Sequence, residues 1–225
     1  MRKGSKTIKN KNFNKINGKP LMYFTIKQAI ESNLFDIVMV STDSKKIYNY
    51  AKKYGAKVWF LRPKKLSTDT SPQLLAIKHA LLESEKKFKT KFDIVFNLHV
   101  TSPLRNIDDI KNAFKLFLFE KKNQLISVSE SYRNPYFNMI EQKNKKIYLV
   151  KNINRKIKNR QQAPRTFDMN ASIYIWKRNF LLNSKKIINP NTTLYFMPKE
   201  RSIDIDNNFD WKLVSYLMRS KLIKK

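Results

Sequence analysis

Apolar and polar positions along the chain switch between two rhythms, one helical and one strand-like. After a polar opening, PLMYFTIKQAIESN carries helical spacing and the β-rich run FDIVMVST follows it. In SKKIYNYAKKYGA, Ile47, Tyr50, Ala51 and Tyr54 fall at i, i+3, i+4 and i+7, with Gly55 placed to end the helix. KVWFL reads as a short strand, PQLLAIKHALLESEKKF as a helix with Leu74, Ile77 and Leu81 inward, and FDIVFNLH as another strand. DIKNAFKLFLFEKK repeats the helical pattern through Ile110, Ala113, Phe114 and Phe117, and LISVSES closes the series as a strand. Such alternation predicts an α/β fold whose mostly parallel sheet has helices on both faces.

The texture changes from Tyr132 to Asp168. Short β-like pieces, YFNMIEQ and KKIYLVKN, surround a basic polar stretch, NINRKIKNRQQAPR, in what reads as an excursion from the core. ASIYIW and TLYFMP then return as strands, and NNFDWKLVSYLMRSKL ends as an amphipathic helix through Leu213, Tyr216 and Leu217. With 225 residues and neither a repeat nor a low-complexity linker, the chain reads as a single domain over 1–225.

Composition narrows the chemistry. No stretch approaches the roughly 18 to 20 apolar residues of a membrane span, and the basic start lacks the apolar run of a signal peptide. A soluble cytoplasmic protein without a membrane partner is expected. The chain has no cysteine and only two histidines, His79 and His99, so any metal should be hard and oxygen-liganded. The formal charge of +30 has two readings. It can draw in polyphosphate or nucleic acid, or it can reflect the lysine, asparagine and isoleucine that an AT-rich genome writes at surface positions. The lysines are spread through helices and turns with no RNA-reading motif and no single basic stripe, so no specific nucleic-acid partner is expected.

In open parallel sheets ligands bind beyond the carboxyl ends of the strands, which directs attention to their polar tails. The opening RKGSK, with Lys11 and Asn12 after it, combines a glycine with cations. It suits a phosphate-holding loop, and equally an ordinary basic tail. Asp204 and Asp206 lie two apart in an extended run, so both carboxylates can face one side and hold Mg²⁺ together with phosphate oxygens. Asp206, Asn207 or Asn208 can also cap the last helix. TSPLR, with Ser102 and Arg105, is a substrate loop or the start of a helix, and His99 before it is a substrate contact or a strand-end histidine. Nothing suggests a Ser-His-Asp or Cys-His arrangement.

Taken in order, RKGSKTIKNKN, NGKPLMYFTI, FDIVMVSTDSKKI, YGAKVWFLRP, STDTSPQ, TSPLR, NRQQAPR, MNASIYIW and RSIDIDNNFD resemble the acylneuraminate cytidylyltransferases, the CMP-sialic acid synthetase family. The resemblance runs from Arg2 to the last helix. It implies a Rossmann-like nucleotidyltransferase fold and a Mg²⁺-dependent reaction of CTP with a nine-carbon 2-keto sugar acid, giving a CMP-sugar and pyrophosphate. It implies that Arg2, Ser5, Lys6, Lys11 and Asn12 hold the triphosphate, with Arg2 and Lys6 catalytic. Ser41, Thr42, Asp43, Asp69 and Ser71 would frame the cytidine and ribose. Arg160, Gln161 and Asn170 would contact the sugar acid, together with His99, Ser102 and Arg105. Asp204 and Asp206 would bind the metal.

Residues 132–168 would correspond to a dimerisation arm, and a homodimer is expected. The resemblance also implies a strand ahead of the opening loop, with Met1 at roughly the position of its last alanine. The first core strand is therefore expected to be missing, which raises an inactive homologue as an alternative. Three departures bear on the sugar: His99 and Val100 replace Gln-Pro, Ala171 stands where glycine is common, and Phe137 replaces a basic residue of the arm. They lean toward legionaminic-type acids.

Overall fold

The computed structural model describes residues 1–4, 7–154 and 157–220. After the opening loop, β1 (Lys15–Ile16) and β2 (Lys19–Pro20) form a ribbon closed by Asn17 and Gly18, at φ of 49° and 74°. These residue types accept left-handed backbone with the least strain. α1 (Leu21–Glu31) follows directly. α2 (Lys45–Lys53) starts where Ser44 Oγ accepts from the Ile47 N–H and stops at Gly55, φ 92°. Ile47 and Ala51 are buried as their spacing predicts, whereas Tyr50 is exposed and packs edge-on against Phe13.

The next elements are α3 (Gln73–Phe88), β3 (Ile94–Leu98), α4 (Ile107–Glu120) and β4 (Gln124–Glu130). The excursion carries the hairpin β5 (Ile140–Lys143) and β6 (Lys146–Leu149), which turns through Asn144 and Lys145 at positive φ. The chain returns as β7 (Phe167–Lys177), α5 (Arg178–Asn183), β8 (Thr193–Phe196) and α6 (Asn208–Arg219).

The main sheet runs in the order β3-β7-β4-β8 and is mixed, not mostly parallel in its pairing. β7 is antiparallel to both neighbours, while β8 is parallel to β4. The cause lies in the excursion: β4 leaves the sheet at its carboxyl end, the hairpin brings the chain back to that end, and β7 must run in reverse. Strands were also expected at 35–42 and 57–61. These segments meet through one parallel bridge, Met39 to Lys57, flanked by Val40 N–H to Lys57 O (3.2 Å) and Lys57 N–H to Val38 O (2.8 Å). A strand exists only as far as its ladder, so their β-branched residues alone do not make one. The edge of β3 away from β7 carries no ladder among the described residues, and Ile94 to Leu98 stay partly exposed. β4, paired on both sides, is buried from Gln124 to Ser129.

Helices cover both faces. α3 seats Leu74, Ile77 and Leu81 on Ile126, Val128, Tyr174 and Trp176, and α4 seats Ile110, Ala113 and Phe117 on Leu125, Ile173 and Ile175. A third cluster joins α1 and α2 around Val40 and Val58. A fourth gathers Ile8, Ile16, Leu21, Leu104, Ile205 and Val214, so that the opening loop, the TSPLR loop and the segment before α6 share one apolar base. α6 is rotated from the predicted phase. Val214 is buried, with Trp211, Leu217 and Met218 beside it, and Tyr216 is exposed. Trp211, Val214 and Met218 form a stripe as apolar as the predicted one, and contact with the fourth cluster selects it.

Two devices hold the site's supports. Between the pairs Ile126–Tyr174 and Val128–Met169, Ser127 alone stands opposite the stretch from Asn170 to Ile173, so β7 bulges there. Ala171 occupies the bulge at φ 47°. The second device is the buried Asp109 carboxylate, which accepts two hydrogen bonds from Arg201, at 2.8 and 2.9 Å, and closes the capping box of α4 with Asn106. It fastens residues 199–206 to α4.

Ala171→Gly relieves the left-handed alanine, partly offset by added freedom in the unfolded chain. It should stabilise the fold by about 0.5–1 kcal/mol, read as a melting temperature raised by about 2 °C; an unchanged or lower value would refute the strain. Asp109→Asn leaves the Arg201 guanidinium unpaired and should cost about 3 kcal/mol in denaturant unfolding. A loss within experimental error would show that the pair anchors nothing.

Candidate active site at the strand ends

The apolar base brings together residues that are far apart in sequence. Ile205 is fully buried between Asp204 and Asp206, so the extended run turns both carboxylates away from the core on one side. The run is held along its length. Ile205 N–H donates to Thr101 O at 2.9 Å, and Asp206 N–H donates to Asp210 Oδ2 at 2.9 Å. Asn207 is the N-cap of α6, its side chain accepting from the Phe209 and Asp210 N–H groups. Capping therefore falls to Asn207 and leaves the two aspartate carboxylates for other work.

The opening loop lies against this run: Thr7 Oγ1 donates to Asp206 O, and Lys11 Nζ donates to Ile205 O. Arg2 pairs with Asp69, Lys3 N–H donates to Asp43 Oδ1 at 2.8 Å, and Asn12 Nδ2 donates to Arg2 O at 3.1 Å. The Met1 amine donates to Ser41 O at 3.0 Å, and Arg62 Nη2 donates to Met1 O at 2.8 Å. Arg2, Lys11, Asn12, Ser41, Asp43, Asp69, Asp204 and Asp206 are thus linked around one loop. Ser5 and Lys6, expected beside them, lie outside the described residues.

The enclosed oxygens with no hydrogen-bond partner among the described residues include Ser41 Oγ, Ser71 Oγ and Asp204 Oδ1. An enclosed polar atom without a partner costs free energy that a ligand can return. Burial pushes the Asp204 carboxyl up from the usual carboxylate range, opposed by a hydrogen bond from Thr101 and reinforced by the charge of Asp206. A cation between the two carboxylates would remove that penalty. No group of three or more Asp, Glu or His side chains converges among the described residues. A hard ion here would draw its remaining ligands from phosphate and water, which is the habit of Mg²⁺.

His99, just beyond β3, stacks at a tilt on Tyr174, with 5.3 Å between ring centroids, and its Nε2 lies 2.6 Å from Gln73 Nε2. Desolvation, with Arg105 as the next cause, brings its pKa down to about 4. Ser102, Arg105 and Asn170, expected at the sugar, are buried and spend their polar groups inside the protein. Ser102 Oγ reaches Asn170 O and Ala171 O. Asn170 accepts from Ser127 Oγ at 2.6 Å and donates to Ser202 Oγ at 2.9 Å. Arg105 donates to Ser172 O, Ser172 Oγ, Thr25 Oγ1 and Gln28 Oε1 at 2.9 to 3.3 Å. These three shape the site's wall. Arg160 and Gln161 are exposed in a 3-10 turn on the arm side; Arg160 donates to Ser131 O at 2.7 Å, and no contact among the described residues ties either to the loop. Gln73 and Arg62 are absent from the sequence-derived set. The one local cue was that each adjoins a proline at a junction, as in FLRP and SPQ.

Cations, unpartnered oxygens and a carboxylate pair are thus gathered around one loop. The model of the cytidylyltransferase family matches residues 1–216. The chain is 42% identical over 220 residues to the CMP-N,N'-diacetyllegionaminic acid synthase of Campylobacter jejuni, and 41% identical over 220 residues to post-translational flagellin modification protein B of Campylobacter coli. Each alignment covers 98% of this chain and 93% of the relative. It is 30% identical over 234 residues to the N-acylneuraminate cytidylyltransferase of Escherichia coli, spanning 98% of this chain and 51% of that protein. A CMP:2-keto-3-deoxy-manno-octonic acid synthetase solved with CTP shares the fold at a TM-score of 0.71 and 15% identity, over 99% of this chain and 97% of the other. A family model matched from residue 1 to 216 and relatives 41% and 42% identical over 98% of the chain make this chain a member of the cytidylyltransferase family.

Proposed function

We propose that the protein couples CTP to a nonulosonic acid, a nine-carbon 2-keto sugar acid of the legionaminic type, giving a CMP-sugar and pyrophosphate in the cytoplasm for a surface glycan. The observation that carries the reading is the set of unpartnered oxygens, Ser41 Oγ, Ser71 Oγ and Asp204 Oδ1, at the strand ends beside a basic loop. The identity to the C. jejuni legionaminic acid synthase supports the choice of sugar.

In this reading the anomeric hydroxyl forms a bond to the α-phosphorus of CTP, the bond to the bridging oxygen breaks, pyrophosphate leaves and the hydroxyl proton is released. No covalent enzyme intermediate is needed, so positioning and charge stabilisation do the work. Arg2, Lys11 and Asn12, with Ser5 and Lys6, hold the triphosphate. The Arg2–Asp69 pair is half exposed and worth roughly 0–1 kcal/mol, so Arg2 can exchange its partner for a phosphate at small cost. Ser41, Asp43, Asp69 and Ser71 frame the nucleoside. Asp204 and Asp206 would hold Mg²⁺, which when bound neutralises charge on the phosphates. Arg160 and Gln161 meet the sugar's carboxylate, and His99 its tail, against the wall made by Ser102, Arg105 and Asn170.

A homodimer through residues 132–168 belongs to the same reading. Ile140 pairs with Leu149 across the hairpin and Ile147 with Gln142, which puts three aliphatic side chains on one face. Ile140 and Ile147 are 63% and 65% exposed. A two-stranded hairpin with its apolar face in water is marginal alone, and a second copy would cover it.

Asp204→Asn and Asp206→Asn should each lower Mg²⁺- and CTP-dependent pyrophosphate release with N,N'-diacetyllegionaminic acid by about a hundredfold or more, with an unchanged circular dichroism spectrum. Undiminished turnover in both variants would remove the metal assignment. The double variant Ile140→Lys, Ile147→Lys should sediment as a monomer where the unaltered protein sediments as a dimer. Equal sedimentation of the two would remove the arm from the interface.

A further inference from the structure

We infer that Gln73 and Arg105 are positioning residues that present His99 as a neutral imidazole carrying its proton on Nδ1. The ring then offers the sugar acid a hydrogen-bond donor for an uncharged acceptor, such as an amide carbonyl or a hydroxyl, and gives no counter-ion to its carboxylate. The inference rests on the proposed reading, in which the strand ends receive the sugar acid.

The first ground is valence. Gln73 Nε2 lies 2.6 Å from His99 Nε2, and an amide nitrogen has hydrogens to give and no lone pair to offer, so with the amide in this orientation His99 Nε2 accepts. A ring nitrogen that accepts carries no proton. The imidazole is therefore neutral, and its one N–H is at Nδ1.

The second ground is the fixed position of the ring. The His99 N–H donates to Ser172 O at 3.2 Å, and the His99 carbonyl accepts from Thr25 Oγ1 at 3.2 Å and Arg105 Nη1 at 3.5 Å. Main chain and side chain are both held, the latter between Gln73 and the Tyr174 ring.

The third ground is charge. Arg105 is buried, and Asp109, the carboxylate that acts on it most, is taken by both arms of the Arg201 guanidinium. Its charge is thus directed at His99 without a contacting counter-ion. The other group acting on the ring is the Met1 amine, whose own pKa burial brings down to about 5 so that it is uncharged at neutral pH, while the Tyr174 phenol, pushed up to about 12 mainly by burial, stays neutral. Arg105 is thus the charge that opposes a second proton on His99. The depression to about 4 agrees with this geometry. Recognition of the sugar's carboxylate then falls to other groups, in keeping with the role proposed for Arg160.

The test is ¹⁵N-imidazole NMR on the full chain, alone and with CTP, alongside steady-state kinetics with N,N'-diacetyllegionaminic acid. The expected His99 spectrum has an unprotonated Nε2 and no titration between pH 8 and 5.5. A midpoint near 6.5, or a proton on Nε2, would overturn the inference. Gln73→Glu replaces the donor with an acceptor, so Nε2 should take up a proton. With the neutral ring's proton moved to Nε2 the Nδ1–H donor is lost, so KM for the sugar acid should rise about five- to tenfold, the loss of one hydrogen bond, with KM for CTP unchanged. Arg105→Lys keeps the cation and should keep the neutral ring. Parallel rises in both KM values with a lowered melting temperature would mark Gln73 as merely structural and sink the inference. Gln73 is partly exposed at the start of α3, so its variants should fold even if those at Arg105 do not. The NMR state is read without turnover, so a protein that makes no CMP-sugar still reports on His99.

Discussion

A guanidinium without a contacting carboxylate sits under the strand ends, and much of the architecture answers to it. Taking a cation out of water costs several kcal/mol unless its donors all find acceptors. Burial lowers the Arg105 pKa to about 10, so it is still charged at neutral pH. Its two terminal nitrogens find acceptors on α1 through Thr25 and Gln28, at the end of β3 through His99, and on the bulge of β7 through Ser172, while Nε has none among the described residues. Moving any of these elements by an ångström would strand a buried charge. The positive-φ alanine in the bulge follows from this, because an unbulged β7 would carry Ser172 out of register with the guanidinium. The wall of the site is rigid for electrostatic reasons, and the apolar clusters fill the space that this rigidity leaves.

What was legible in the sequence divides along the same lines. The stripes of α3 and α4 could be read because a helix carries its own hydrogen bonds and only its apolar face must be assigned. Residues 35–42 and 57–61 look like strands in composition, yet a ladder belongs to two segments at once, and the pattern in one says nothing about its partner. The direction of β7 was hidden for a similar reason, since it is set by where the hairpin after β4 turns. The phase of α6 was undetermined because two stripes on it are equally apolar. The placement of Asp204 and Asp206 on either side of a buried Ile205 could be read from their alternation. Gln73 could not, since its meaning comes from His99, 26 positions away.

Charge is distributed with more discrimination than the total of +30 conveys. Acidic residues are scarce, 17 against 47 lysines and arginines. Asp109 and Glu85 hold buried or partly buried arginines in place. Asp43, Asp69, Asp204 and Asp206 gather at the opening loop, where Arg2 pairs with Asp69, the Lys3 N–H donates to Asp43 and Lys11 acts on Asp204. A surface field of one sign favours the approach of anions to the loop, which is what the proposed reading requires of it.

The ties between the opening loop and the run before α6 also govern when the protein becomes competent. Thr7 with Asp206 and Lys11 with Ile205 join residues 199 and 194 positions apart. Contacts this distant are slow to find, and during synthesis neither can form until the ribosome has released the segment around residue 206. A nascent chain therefore holds its basic loop without its floor until that segment has emerged. The loop and the two carboxylates come together only after both have been made, which makes their junction a late event in folding.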